Sequence, residues 1–86
     1  MLKNSSILIT GGTGSFGHTF IPMTLEKYNP KKLVVFSRDE IKQWEMAKLF
    51  KDDSRVRFMI GDVRDKDRLY RVLDGIDYVV HAAATK

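Results

Sequence analysis

The sequence predicts an α/β fold, the N-terminal half of a doubly wound parallel sheet with strand order 3-2-1-4. Two observations predict it. Four short, unbroken apolar runs are separated by three segments whose apolar residues recur at helical spacing. A glycine-rich turn, Gly11-Gly12-Thr13-Gly14-Ser15-Phe16-Gly17, follows the first run directly. Unbroken apolar runs suit strands covered on both faces, which parallel sheets require. Regular alternation of strand and helix then implies right-handed crossovers between parallel neighbours.

The first strand is expected at residues 6–10 (SILIT). Residues 15–28 follow as a helix, with Phe16, Phe20 and Met23 on one face and Ile21, Leu25 and Tyr28 on an adjacent one. Pro22 falls inside that helix and is expected to weaken or kink its first turns, because proline lacks the N–H that closes the ladder. The Asn29-Pro30 turn leads to a second strand at 32–36 (KLVVF). Asp39 to Phe50 reads as the second helix, its inner stripe formed by Ile41, Trp44, Ala47 and Phe50, with Trp44 and the methionines as core or interface. A third strand at 56–60 (VRFMI) ends at Gly61. Asp65 is placed to cap a third helix, in which Leu69, Val72, Leu73 and Ile76 follow the i, i+3, i+4, i+7 pattern. Gly75 stands where a helix end favours a left-handed residue. The fourth strand, 77–84 (DYVVHAAA), runs into small residues.

A complete six-stranded sheet of this kind needs two such halves. Residues 1–86 are therefore expected to be the N-terminal part of a dinucleotide-binding Rossmann domain, the rest of that domain and a substrate domain lying beyond.

Composition narrows the function. The net charge of +4 comes from basic residues dispersed among acids, as in SRDEIKQWEMAKLFKDDSRVR, and not from a block. Nucleic acid is thus not expected as a partner. The absence of cysteine excludes disulfides and thiolate metal sites, and His18 and His81 have no ligand spacing. No apolar run approaches membrane length and the start has no secretory h-region, so a cytoplasmic location without membrane contact is expected.

The glycine turn carries the strongest chemical signal. Two registers coexist, Gly12-x-Gly14-x-x-Gly17 and Gly11-x-x-Gly14-x-x-Gly17. In either, the first glycine makes the turn after the strand, Gly14 admits a pyrophosphate to the backbone, and Gly17 lets the helix pack close to the sheet. The helix N-terminus offers N–H groups and a positive dipole end to phosphate, and Thr13 and Ser15 add hydroxyls. Strand before and helix after are the context that gives this motif its meaning.

The end of the second strand selects the dinucleotide. An acidic residue there suits the ribose 2′-hydroxyl of NAD, and a basic one suits the 2′-phosphate of NADP. The sequence reads Ser37-Arg38-Asp39-Glu40, with Lys42 one turn on. Arg38 can stack on adenine and pair with phosphate oxygens, which favours NADP. Asp39 reads as the helix N-cap, and would serve NAD only if the strand ended later. Gly61-Asp62-Val63 closes the third strand at the same sheet edge; Asp62 either accepts from the adenine amino group, with Val63 lining the pocket, or caps the next helix. Ala82-Ala83-Ala84 are small enough for a nicotinamide ribose to pass over. His81 reads as a packing or hydrogen-bonding residue.

With ILITGGTGSFG, VVFSRDEIKQWEMA and FMIGDVRDKDRLYRVLDGIDYVVHAAATK in view, the chain resembles the extended short-chain dehydrogenase/reductases. Within them it is most similar to the inverting UDP-N-acetylglucosamine 4,6-dehydratases, which begin pseudaminic acid synthesis for flagellin and related glycans. The glycine turn is generic to the superfamily; SRDExKQ followed by GDVRD and HAAAxK is far more specific. The resemblance implies NADP contacts from Thr13 to Phe16, Ser37 to Lys42, Asp62, Val63, Ala82 and Ala83. It places Lys86 near both cofactor and sugar nucleotide. It further implies that hydride leaves sugar C4 for NADP+, that water is lost across C5–C6, and that hydride returns at C6.

The residues that assist this chemistry in the family are not in the chain. Tyr70 and Tyr78 lack a lysine four residues on; Tyr28 has Lys32 there, but that pair spans the Asn29-Pro30 turn at the start of the second strand, away from the glycine turn. Residues 1–86 alone are accordingly expected to be inactive, and the full-length protein to be a homo-oligomer acting on a UDP-sugar. The alternatives are a non-catalytic NADP-binding regulator of the same superfamily and a UDP-sugar 4-epimerase or retaining dehydratase, which share the glycine turn.

Overall fold

The computed structural model describes residues 4–11 and 14–81, and for Ser15 the backbone alone. Its elements run β1 (Ser6–Thr10), α1 (Ser15–Lys27), β2 (Lys32–Ser37), α2 (Glu40–Leu49), β3 (Val56–Ile60), α3 (Lys66–Leu73) and β4 (Tyr78–His81). The four strands form one parallel sheet in the order β3-β2-β1-β4. This is the expected topology.

Strand periodicity divides the core into two layers. Ile7 and Ile9 of β1 and Leu33 and Val35 of β2 pack with Ile21, Leu25 and Met46, so α1 and α2 cover one face. Leu8, Val34 and Phe36, which point to the opposite face, pack with Val72 and with Leu69, Leu73 and Ile76, so α3 covers that one. Each large aliphatic side chain buried this way contributes roughly 1.5–3 kcal/mol. The first two crossovers move the chain outward from β1 over one face. The third returns it over the other, and the strand order reverses between β1 and β4.

Local chemistry explains most element ends. Asp39 caps α2 by accepting from Lys42 N at 2.9 Å, and Asp65 caps α3 by accepting from Arg68 N at 3.2 Å. Gly75 adopts φ +77° just after α3, as the sequence predicts. β4 docks through Asp77, whose N–H donates to the Ser6 carbonyl while its carboxylate accepts from Ser6 N, each at 2.8 Å. At the same amino ends of the strands, on the β3 flank, Arg55 donates to Asp53, to the Leu25 carbonyl and to Asn29, joining the start of β3 to the end of α1.

α1 holds Pro22 within its span, on the exposed side, while Ile21, Thr24 and Leu25 face inward. One expectation, the inner stripe of α2, is corrected. In α2 the buried residues are Gln43 and Met46, and Ile41 and Trp44 are exposed. The stripe is rotated by one position because Gln43 finds acceptors at the ends of β2 and β3. Trp44 instead has the Lys48 ammonium 3.6 Å from its ring centroid, a cation–π contact at the surface. The methionines divide as well: Met46 is core, whereas Met23 is exposed.

Candidate nucleotide site at the sheet edge

Ligands in open α/β sheets bind beyond the carboxyl ends of the strands where strand order reverses. At that edge lie Gly11 after β1, Ser37 closing β2, Gly61 and Asp62 after β3, and His81 closing β4. The described part of the glycine turn leaves β1 at Gly11. Its φ of +68° belongs to the left-handed region, and its N–H donates to the Phe36 carbonyl at 2.8 Å. Gly11 therefore makes the turn that the Gly11-x-x-Gly14-x-x-Gly17 register assigns to its first glycine; Gly12, the first glycine of the other register, lies outside the described residues.

Gly14 differs. It is the N-cap of α1 with φ −89° and ψ −166°, a conformation any residue adopts, and no side-chain cap is made there. A Cβ built on it would meet nothing within 4 Å. Neither its backbone conformation nor a described neighbour requires a glycine there. Gly17 is buried, in keeping with close helix–sheet packing. Phe16, half exposed, stacks on Phe20 with ring centroids 5.3 Å apart.

Arg38 and Asp62 meet. The Arg38 Nη1 stands 3.6 Å from Asp62 Oδ2. Asp62 also accepts from Arg64 through its backbone N–H at 2.9 Å and through Nη2 at 2.8 Å. The Arg64 guanidinium, then its backbone N–H, push the Asp62 carboxyl down to about 2, with Arg38 adding a smaller attraction. The carboxylate is thus ionised and held in a turn of its own, and the capping of α3 falls to Asp65. The Arg38 side chain is 70% exposed and is free to turn toward a ligand. Glu40 and Lys42 are exposed in the first turn of α2, and Val63 is exposed beside Asp62.

At the junction of β1 and β4 the Thr10 hydroxyl hydrogen-bonds His81 Nδ1, which bears out the hydrogen-bonding reading of His81. Thr13, Ala82, Ala83 and Lys86 lie outside the described residues, as does the side chain of Ser15. Two residues that sequence reasoning passed over adjoin the site. Gln43 is buried behind Ser37, and Arg64 holds Asp62. A polar residue three positions before the buried Met46 was the available signal for Gln43. Arg64 carries no periodic signal. Among the described residues no cluster could hold a metal ion, and no helix is long and apolar enough to cross a membrane.

Residues 7–86 match the family described as polysaccharide biosynthesis protein. The whole chain is 52% identical to a UDP-N-acetylglucosamine 4,6-dehydratase (inverting) of Campylobacter jejuni, 25% of whose length it covers. It is 40% identical to a UDP-glucose 4-epimerase of Rickettsia bellii, again across the whole chain and 26% of that relative. Among solved structures, dTDP-glucose 4,6-dehydratase from Bacillus anthracis in complex with NAD superposes with a TM-score of 0.81. That match has 25% identity over 94% of this chain and 27% of that one. The chain therefore spans about a quarter of the length of these relatives.

Proposed function

The chain belongs to the polysaccharide biosynthesis protein family, and from that premise we propose that it forms the NADP-binding part of a nucleotide-sugar 4,6-dehydratase acting on UDP-N-acetylglucosamine. The product is inverted at C5 and destined for pseudaminic acid. Gly14 carries the cofactor reading: at the N-cap of α1 a built Cβ would meet no neighbour, which leaves room for a ligand to approach the first-turn N–H groups. Identity to the inverting dehydratase along the whole chain supports the reaction and the substrate.

The residues at the edge fit a dinucleotide. The α1 N-terminus, opened by Gly14, would receive the pyrophosphate, because its first-turn N–H groups and dipole favour an anion. Arg38, with Lys42 nearby, would receive the 2′-phosphate, and Asp62 and Val63 the adenine. Asp39 is engaged by Lys42 N, which lowers its capacity to accept from an unphosphorylated ribose. Ala82, Ala83 and Lys86 are proposed to border the nicotinamide ribose and the sugar nucleotide. When bound, the cofactor supplies a reversible hydride acceptor for the sugar.

The chain's own contribution is to bind and orient. It fixes the phosphates by backbone donors, holds the adenine end by charge, and leaves proton transfers to groups beyond residue 86. The epimerase relative favours a second reading, a UDP-sugar 4-epimerase on the same cofactor frame. Incubating the full-length protein with UDP-N-acetylglucosamine and NADP+, with NMR analysis of the product, tests both. A 4-keto-6-deoxy sugar inverted at C5 is the expected product. A 4-epimer would favour the alternative, and recovery of unchanged substrate would overturn both.

A further inference from the structure

Behind the β2 end of the site, a buried amide joins three segments. Gln43 of α2 is 4% exposed. Its Nε2 donates to the Met59 carbonyl at 2.8 Å, to the Ser37 hydroxyl oxygen at 2.9 Å and, more weakly, to the Ser37 carbonyl at 3.4 Å. Carbonyl oxygens only accept, so the nitrogen and not the oxygen of the amide must face them. One amide hydrogen serves Met59. The other serves Ser37, where the hydroxyl oxygen is the nearer acceptor. The Ser37 carbonyl is held separately by Gly61 N at 2.9 Å.

This orients the Ser37 hydroxyl. A serine hydroxyl has one hydrogen and two lone pairs. Gln43 takes one lone pair, so its N–H groups turn the Ser37 hydrogen away from the amide and leave that hydrogen and one lone pair for other partners. A ribose 2′-hydroxyl can donate or accept, and so can use either. A phosphate oxygen accepts only, and takes the hydrogen.

We propose that Gln43 is a positioning residue that makes Ser37 a hydrogen-bond donor to the 2′-phosphate, and so sets preference for the phosphorylated dinucleotide. The inference rests on the cofactor reading above. Gln43 touches no ligand itself; it acts through Ser37, while Arg38 supplies the charge.

The test is a pair of affinities, for NADP+ and for NAD+, measured on the full-length protein by calorimetric titration. Gln43→Met keeps the length of the side chain and removes the donor. It should weaken NADP+ binding by roughly ten-fold, the scale of one hydrogen bond to a charged group, and leave NAD+ little changed. Ser37→Ala should move the ratio equally, and Q43M with S37A should move it no further, since both act on one bond. A merely structural Gln43 would lower affinity for both cofactors together, and an unmoved ratio in Q43M overturns the inference while leaving the cofactor reading intact. If Q43M does not fold, Ser37→Ala decides alone: an unchanged ratio is equally fatal. A parent protein that binds neither cofactor overturns the cofactor reading, and this inference with it.

Discussion

Arg38 and Asp62, on different strand ends, form an ion pair at 3.6 Å across the edge of the sheet. The pair is loose and its arginine exposed, and exposed pairs contribute little to stability. Its interest is that Arg38 can leave. Asp62 keeps Arg64 at 2.8 Å when Arg38 turns away, so a phosphate can take Arg38 without stranding a bare carboxylate.

The first prediction follows from that asymmetry. Arg38→Ala should leave the fold intact and shrink the preference of the full-length protein for NADP+ over NAD+. Loss of a charge-assisted contact would cost about 1.5–3 kcal/mol in NADP+ binding. Equal affinity of the parent protein for both cofactors would remove Arg38 from the site.

Acid should expose the role of Arg64. The Asp62 carboxyl is depressed from 3.8 to about 2 by its hydrogen bonds to Arg64. A depressed folded pKa gives stabilisation that is complete above the unfolded value and is lost as pH falls through the folded one. The stability difference between the parent chain and Asp62→Asn should therefore shrink between about pH 4 and pH 2, and more weakly so in high salt. Denaturant unfolding at a series of pH values measures it. A difference that does not vary with pH would show that the carboxylate contributes nothing to stability.

Gly61 is required by packing. A Cβ there would stand 2.5 Å from two atoms of the Phe36 ring and 3.2 Å from Arg68 Cγ. Phe36 is fully buried between sheet and α3, so its ring has little room to withdraw. Gly61→Ala should destabilise by about 1–3 kcal/mol, with partial recovery when Phe36→Leu is added. Strict additivity of the two substitutions in thermal unfolding would contradict the clash.

How much of this was legible in the sequence depends on the kind of signal. Strands could be read because both faces of a parallel sheet are apolar, and Ile7 to Ile9 or Leu33 to Phe36 cannot be placed otherwise. Helix caps were legible because Asp39 and Asp65 precede amphipathic runs. The inner face of α2 was not. Ile41 and Trp44 look like core by hydropathy, but burial there is settled by hydrogen bonds from Gln43 to Ser37 and Met59, which lie 6 and 16 residues away. Such partners are fixed by topology, and a helical window does not contain them. The Arg38–Asp62 pair was hidden for the same reason, though each residue was singled out separately.

The last prediction separates site from scaffold. Three described glycines of the sheet's upper edge have different causes: Gly11 takes a left-handed φ, Gly61 faces the Phe36 ring, and Gly14 has neither excuse. At φ −89° with open space beyond its Cα, Gly14 accepts a side chain without strain. Gly14→Val should therefore change the unfolding free energy by less than about 1 kcal/mol, the scale of a substitution at an exposed position or a helix cap. The same branched side chain would occupy the approach to the α1 N-terminus, where a pyrophosphate must come close to the backbone. Binding of NADP+ should fall by at least about ten-fold, with NAD+ falling alongside it because both carry the pyrophosphate. That parallel loss distinguishes Gly14 from Arg38, whose removal shrinks the preference for NADP+ over NAD+. A variant that folds and binds both dinucleotides as the parent does would leave the open space at Gly14 without a ligand, and the nucleotide site would have to be sought elsewhere on the sheet.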